Sequence, residues 1–257
     1  MNFIHKLGKK DAVHDQRTLQ LANYIKTLPV LPAKVNWSSK LTRPWGMMKN
    51  DSVGDCTIAA AGHMIMSWAA DNKRVVNIAD GDIIRSYVDV TAAENGGAGY
   101  DPATGDNDTG CVEIDVLNYW RKTGIAGHKI GAYAALEPHN NNSLKAAVYI
   151  FGGAYTGFAL PVSAQMQKVW SIPPGGARGW GEPGSWGGHA VPVVDYNTTG
   201  PVCVTWGELK QMTWGFYDTY CEESYAIISN DFFTGIKSAS GFDMATLHAD
   251  LKLITKK

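Results

Sequence analysis

Several large functional classes are excluded by what this chain lacks. It has no excess of either charge: 23 Lys plus Arg stand against 24 Asp plus Glu, a formal net charge of −1. With no basic stripe along the chain, nucleic acid is not an expected partner. Long apolar runs are also missing, and none reaches the roughly 18 residues that a membrane-spanning helix needs. The opening residues Met1-Asn2-Phe3-Ile4-His5-Lys6-Leu7-Gly8-Lys9-Lys10 contain no signal-peptide core. The expectation is a soluble, cytoplasmic protein without a membrane partner. Cysteine is scarce, at four residues (Cys56, Cys111, Cys203 and Cys221) in 257. Reduced thiols fit that compartment better than bridges.

What is present centres on Lys49-Asn50-Asp51-Ser52-Val53-Gly54-Asp55-Cys56-Thr57. This polar, Gly-containing turn sets a single cysteine at the mouth of an apolar segment that runs to about Ala70. Strong helix formers on nearly every face predict a buried central helix. The first turn of such a helix exposes unpaired N–H groups and the positive end of the dipole, and both favour S⁻ over SH. A free cysteine in an apolar stretch is more often a small core residue. Asp55 is expected to cap the helix through its side chain; facing the sulfur instead, its charge would raise the thiol pKa.

A second segment, Gly184-Ser185-Trp186-Gly187-Gly188-His189, leads into Ala190-Val191-Pro192-Val193-Val194-Asp195-Tyr196, which reads as a buried strand able to aim a histidine. Between Cys56 and His189 the offset is 133 (189 − 56), inside the roughly 130 to 150 residues that separate nucleophile and base in papain-type peptidases. A third segment supplies Val204-Thr205-Trp206-Gly207, then Trp214-Gly215 and Ser224-Tyr225-Ala226-Ile227-Ile228. Upstream stands Leu31-Pro32-Ala33-Lys34-Val35-Asn36-Trp37.

In order and spacing these motifs resemble the papain-like cysteine peptidase superfamily, in a divergent form of bacterial or phage type. The resemblance runs from about Leu31 to Ile228. It implies an α+β, two-lobe fold with a helical lobe carrying the central cysteine helix and an antiparallel β lobe carrying the histidine. The expected division is an arm over 1–44, the helical lobe over 45–143, the β lobe over 144–230 and an extension over 231–257. Helices are expected around Ala79–Ala92 and Val112–Thr123, strands within Ala146–Leu160, and a docked amphipathic helix over Asp243–Ile254.

The resemblance also implies roles. Cys56 is the thiolate nucleophile, His189 the acid/base, and Asn50, six residues before the cysteine, an oxyanion donor together with the Cys56 N–H. The partner implied is a peptide or protein, including the peptide part of peptidoglycan, with no cofactor and no metal. The departures are Thr57 for an aromatic residue, Val53 for a disulfide cysteine, and Val204 where the family carries the asparagine that orients its histidine. Valine cannot hydrogen-bond. Thr205 is expected on the opposite strand face from Val204, and Asp195 about 20 Å along the strand, so a Cys–His dyad is expected.

The remaining candidates are weaker. Cys111 at a helix start is the rival nucleophile, and His63 is expected to be a satisfied helix residue. The loop Glu94–Asp108 lacks EF-hand ligand spacing and reads as solvated, while Thr109-Gly110 at its end resembles a cleft edge along which a substrate backbone pairs. Residues 170–188, rich in Trp, Pro and Gly, form either a cleft wall or surface anchors. The alternative function is a papain-like fold without turnover that serves as a binding or structural protein.

Overall fold

The segment after the Cys56 turn is helical, and fourteen of its sixteen residues are buried. A computed structural model describes residues 5–25 and 30–232. In it, helix α1 (Cys56–Asp71) lies against helices α2 (Asp80–Glu94) and α3 (Glu113–Lys122) on one side and a sheet on the other. No helix among the described residues is long and apolar enough to cross a membrane. The expected tail helix over 243–254 falls outside the described residues.

Among the described residues the sheet has eight strands: β1 (Leu19–Gln20), β2 (Val35–Asn36), β3 (Ala132–Ala135), β4 (Ala154–Leu160), β5 (Gly187–Tyr196), β6 (Pro201–Thr205), β7 (Glu208–Gln211) and β8 (Cys221–Ile228). Its order is β1-β3-β8-β4-β5-β6-β7, with β2 added to β5. All pairings are antiparallel except β1 with β3. Period-2 alternation sorts the side chains of β5 and β6 between two cores. Val191, Val193 and Cys203 join helices α4 (Asn141–Phe151) and α5 (Trp214–Tyr220), whereas Ala190, Val194 and Val204 pack with α1, α2 and α3.

The expected mixture of a helical lobe and a β lobe is present, with two corrections: strands β1, β2 and β3, which precede the expected start of the β lobe, join the sheet, and the expected first strand of that lobe begins as a helix. Residues 146–151, read as strand, are the end of α4. Asn140 caps it by accepting hydrogen bonds from the N–H groups of Asn142 and Ser143, and Gly152, at φ 71°, terminates it. Leu144, Ala147, Val148 and Phe151 recur at helical spacing on its buried face. Residues 5–11, ahead of the first strand, lie across the molecule between Gly54, Cys111 and Gly188.

Candidate active site

Cys56 occupies the first position of α1 and is 1% exposed. Its sulfur accepts the Ala190 N–H at 3.4 Å, which ties the mouth of the helix to the residue after His189. The turn before it is held from the opposite wall: Asp108 Oδ1 accepts from Gly54 N–H at 2.9 Å and from Tyr87 O–H at 2.7 Å, and the Tyr87 oxygen accepts from Gly110 N–H at 2.8 Å. Asp108 and Gly110, at the end of a loop read as solvated, therefore shape the cysteine turn.

His189, on β5, is 1% exposed. Its Nε2 is hydrogen-bonded to Thr205 Oγ1 at 2.7 Å, and its ring stacks on Trp206 with centroids 4.4 Å apart and planes 14° apart. The expectation that strand alternation turns Thr205 away from it is corrected. Alternation does put Val204 and Thr205 on opposite faces, but Thr205 is the one facing the histidine. Val193 pairs with Cys203; continued by two residues, that register puts Thr205 beside Val191, diagonal to His189 on the same face. Nδ1 has no hydrogen-bond partner among the described residues.

Cys56, His189, Asn50, His63, Thr205 and Trp206 line one cavity of about 10 Å³, room for a single water at most. Asn50 is 3% exposed and donates one Nδ2 hydrogen to the Val53 carbonyl at 3.1 Å. His63 is hydrogen-bonded to the Gly46 carbonyl at 3.0 Å, the satisfied helix residue expected. Asp195 binds the N–H and O–H of Ser38 instead of any group near His189.

Asp55 holds the N-cap position without the expected cap. Its carbonyl accepts from the N–H groups of Ile58 and Ala59, yet its side chain makes no cap hydrogen bond, and both carboxylate oxygens are buried without a hydrogen-bond partner among the described residues. At φ −99°, ψ 18° its backbone is outside the extended region from which an N-cap side chain reaches over the first turn. Burial pushes its carboxyl well above the usual range, and the nearby Asn50 amide opposes this.

The electrostatics are those of a covered site. Burial pushes the Cys56 thiol up to about 12, with the Ala190 N–H pulling it down and Asp55 pushing it further up. His189 is depressed to about 3 by burial, with His5 adding to the effect. Both groups are therefore neutral at pH 7. Burial also raises the Cys111 thiol, Glu94 reinforcing it, and Cys111 belongs to the core around α1.

The cover is the N-terminal arm. Lys9 N–H donates to the Gly188 carbonyl at 3.1 Å, Cys111 N–H to the Gly8 carbonyl at 2.8 Å, and Lys10 N–H to the Cys111 carbonyl at 3.0 Å. His5 stacks on Trp206 at 4.3 Å, and Trp206 Nε1 donates to the Lys6 carbonyl at 3.2 Å. A Cβ on Gly8 would lie 1.7 Å from the Gly54 carbonyl oxygen, so glycine is required for so close a passage. The route of this arm is hidden from the sequence because the pairing is backbone to backbone. Residues 170–188 divide between the two readings: Trp170 is fully buried, Trp180 is 67% exposed, and Trp186 packs on Trp206 at the cleft.

No protein-family model and no curated protein matches the chain. Solved structures do. Xylellain, a cysteine protease from Xylella fastidiosa, superposes with a TM-score of 0.64 at 16% identity, over 88% of this chain and 96% of that one. Procathepsin L 3 from the larval midgut of Tenebrio molitor gives a TM-score of 0.58 at 13% identity, over 88% and 77%. A Carica candamarcensis cysteine protease in complex with E-64 gives 0.53 at 12% identity, over 77% and 99%. Together with the α1-against-sheet architecture, these similarities show that the chain has the papain-like fold.

Proposed function

We propose that this protein is a cysteine peptidase or amidase whose nucleophile is Cys56 and whose acid/base is His189. The observation that carries the reading is the His189 ring, fixed between the Thr205 hydroxyl and the Trp206 face in the cavity that Cys56 also lines. An imidazole held this way has one nitrogen oriented by a hydroxyl and the other left for proton transfer. The Cys56 sulfur attacks the substrate carbonyl carbon while its proton passes to His189. The C–N bond then breaks, the departing amine takes that proton, and water hydrolyses the thioester with His189 as base. The Cys56 backbone N–H, which has no intrahelical acceptor, and the Asn50 amide, turned from Asp55, are the donors for the oxyanion.

With the arm in place the thiol is buried and neutral, so turnover requires residues 5–10 to leave the cleft. The test is hydrolysis of a fluorogenic peptide mixture by the Gly8→Ala chain, whose arm cannot occupy the same path. Cleavage that disappears in Gly8→Ala/Cys56→Ala supports the reading, and cleavage that survives loss of Cys56 rules it out. The second reading, a papain-like fold that binds without turnover, is favoured by the burial of Cys56; an open cleft that binds peptides and leaves them intact would establish it.

A further inference from the structure

The arm does more than cover Cys56, because it inserts one side chain into the body. Lys9 has a side chain 0% exposed. Its Nζ donates to Glu222 Oε2 at 2.7 Å and to the Lys10 carbonyl at 3.1 Å, and lies 3.1 Å from Glu223 Oε1. Behind it stands Glu113 at the start of α3, 0% exposed, with neither carboxylate oxygen hydrogen-bonded among the described residues. Gly157 of β4 leaves the space: a Cβ there would fall 2.2 Å from Lys9 Cε and 2.6 Å from Glu113 Oε1.

An isolated ammonium is driven out of such a site by desolvation. Burial does pull the Lys9 pKa down, but Glu113, Glu223 and Glu222 together outweigh it and hold the ammonium above its ordinary range. Three carboxylates for one cation, one of them fully buried and unpartnered among the described residues, are unfavourable in an empty cleft and compensated only when a basic side chain enters.

We propose that the pocket formed by Glu113, Glu222, Glu223 and Gly157 selects a lysine-type side chain on the substrate residue N-terminal to the one at Cys56; the arm delivers Lys9 to this pocket in the opposite chain direction, with Gly8 before it. Lys9 is the stand-in: its N–H donates to the Gly188 carbonyl, and the Cys111 N–H holds the Gly8 carbonyl beside it, backbone groups that an extended peptide would also use. The inference rests on the peptidase reading and adds its substrate class: peptides with a basic residue beside a small one, since Gly8 passes where a Cβ would collide.

The test is the rate at which two dipeptidyl chloromethyl ketones, Lys-Gly and norleucine-Gly, alkylate Cys56 in the full-length Gly8→Ala chain and in Gly8→Ala/Lys9→Ala, read by intact mass. In this reaction the sulfur–carbon bond forms and chloride leaves. The expected result is labelling about tenfold faster by the lysine reagent, with the preference lost in Glu113→Gln/Glu223→Gln, whose folding is checked by thermal melting. Iodoacetamide serves as the reagent with no side chain. If it labels Cys56 in a His189-dependent way and lysine confers no advantage, the pocket proposal is overturned and the peptidase reading stands. If Cys56 in both open chains resists all three reagents, the peptidase reading fails and takes the pocket proposal with it.

Discussion

Thr205 holds the His189 ring through a single hydroxyl, so the two kinds of substitution at this position should separate cleanly. Thr205→Val should lower kcat about 100-fold, the scale of a misplaced catalytic group, with KM little changed. Thr205→Ser should retain most of the rate, and steady-state kinetics in the Gly8→Ala background checks both. His63 gives a second outcome at this scale. Burial depresses it to about 4, opposed by the Gly46 carbonyl, so as pH falls from about 6.5 toward 4 the unfolded chain takes up the proton first and stability is lost. Over that window the wild type should lose on the order of 3 kcal/mol more than His63→Gln, measured by urea denaturation at pH 7 and pH 4. Of these residues, His189 is legible in the sequence because a rigid apolar strand follows it. The role of Thr205 is not: the Trp206-Gly207 pair aligns Val204 with the usual orienting residue, and only the pairing of Val193 with Cys203 brings the neighbouring hydroxyl to the histidine. Register belongs to two strands together and cannot be read from one.

Among the elements, α1 and β5 are legible because each is a long apolar segment with one chemical residue at its end. The helix α4 is not: Val148-Tyr149-Ile150-Phe151 suits a strand as well as a helix, and the deciding signals are Asn140 and Gly152 at its ends. Asn140→Ala should cost about 1 kcal/mol of stability, seen as a lower urea midpoint with an unchanged slope. The arm is an element without regular structure, held by backbone hydrogen bonds and by Lys9. Gly8→Ala should displace it, because the Gly54 carbonyl leaves no room for a methyl group. The expected outcome is faster proteolysis within residues 5–11 and a Cys56 that becomes open to alkylation, with a lower melting temperature because Glu113, Glu222 and Glu223 lose the Lys9 ammonium.

At the scale of the whole molecule, the sheet carries a core on each face, and the cleft opens where the mouth of α1 meets the ends of β5 and β6. That arrangement follows from two buried segments, one helical and one extended, each of which needs an apolar partner. The sequence motifs report the partners but not what lies between them, since an arm over 5–11 without periodicity has no pattern to read. The closed state makes both Cys56 and His189 neutral through burial, and removing the arm should restore water and lower the thiol pKa. The most direct measurement is the pH dependence of Cys56 alkylation by iodoacetamide, followed by intact mass, in the wild type, Gly8→Ala and Gly8→Ala/His189→Ala chains. Rapid labelling of Gly8→Ala down to about pH 5, lost without His189 and slow in the wild type, is the expected result. A Cys56 in Gly8→Ala that reacts only as pH approaches the ordinary thiol value of about 8.5, with or without His189, would contradict the catalytic assignment.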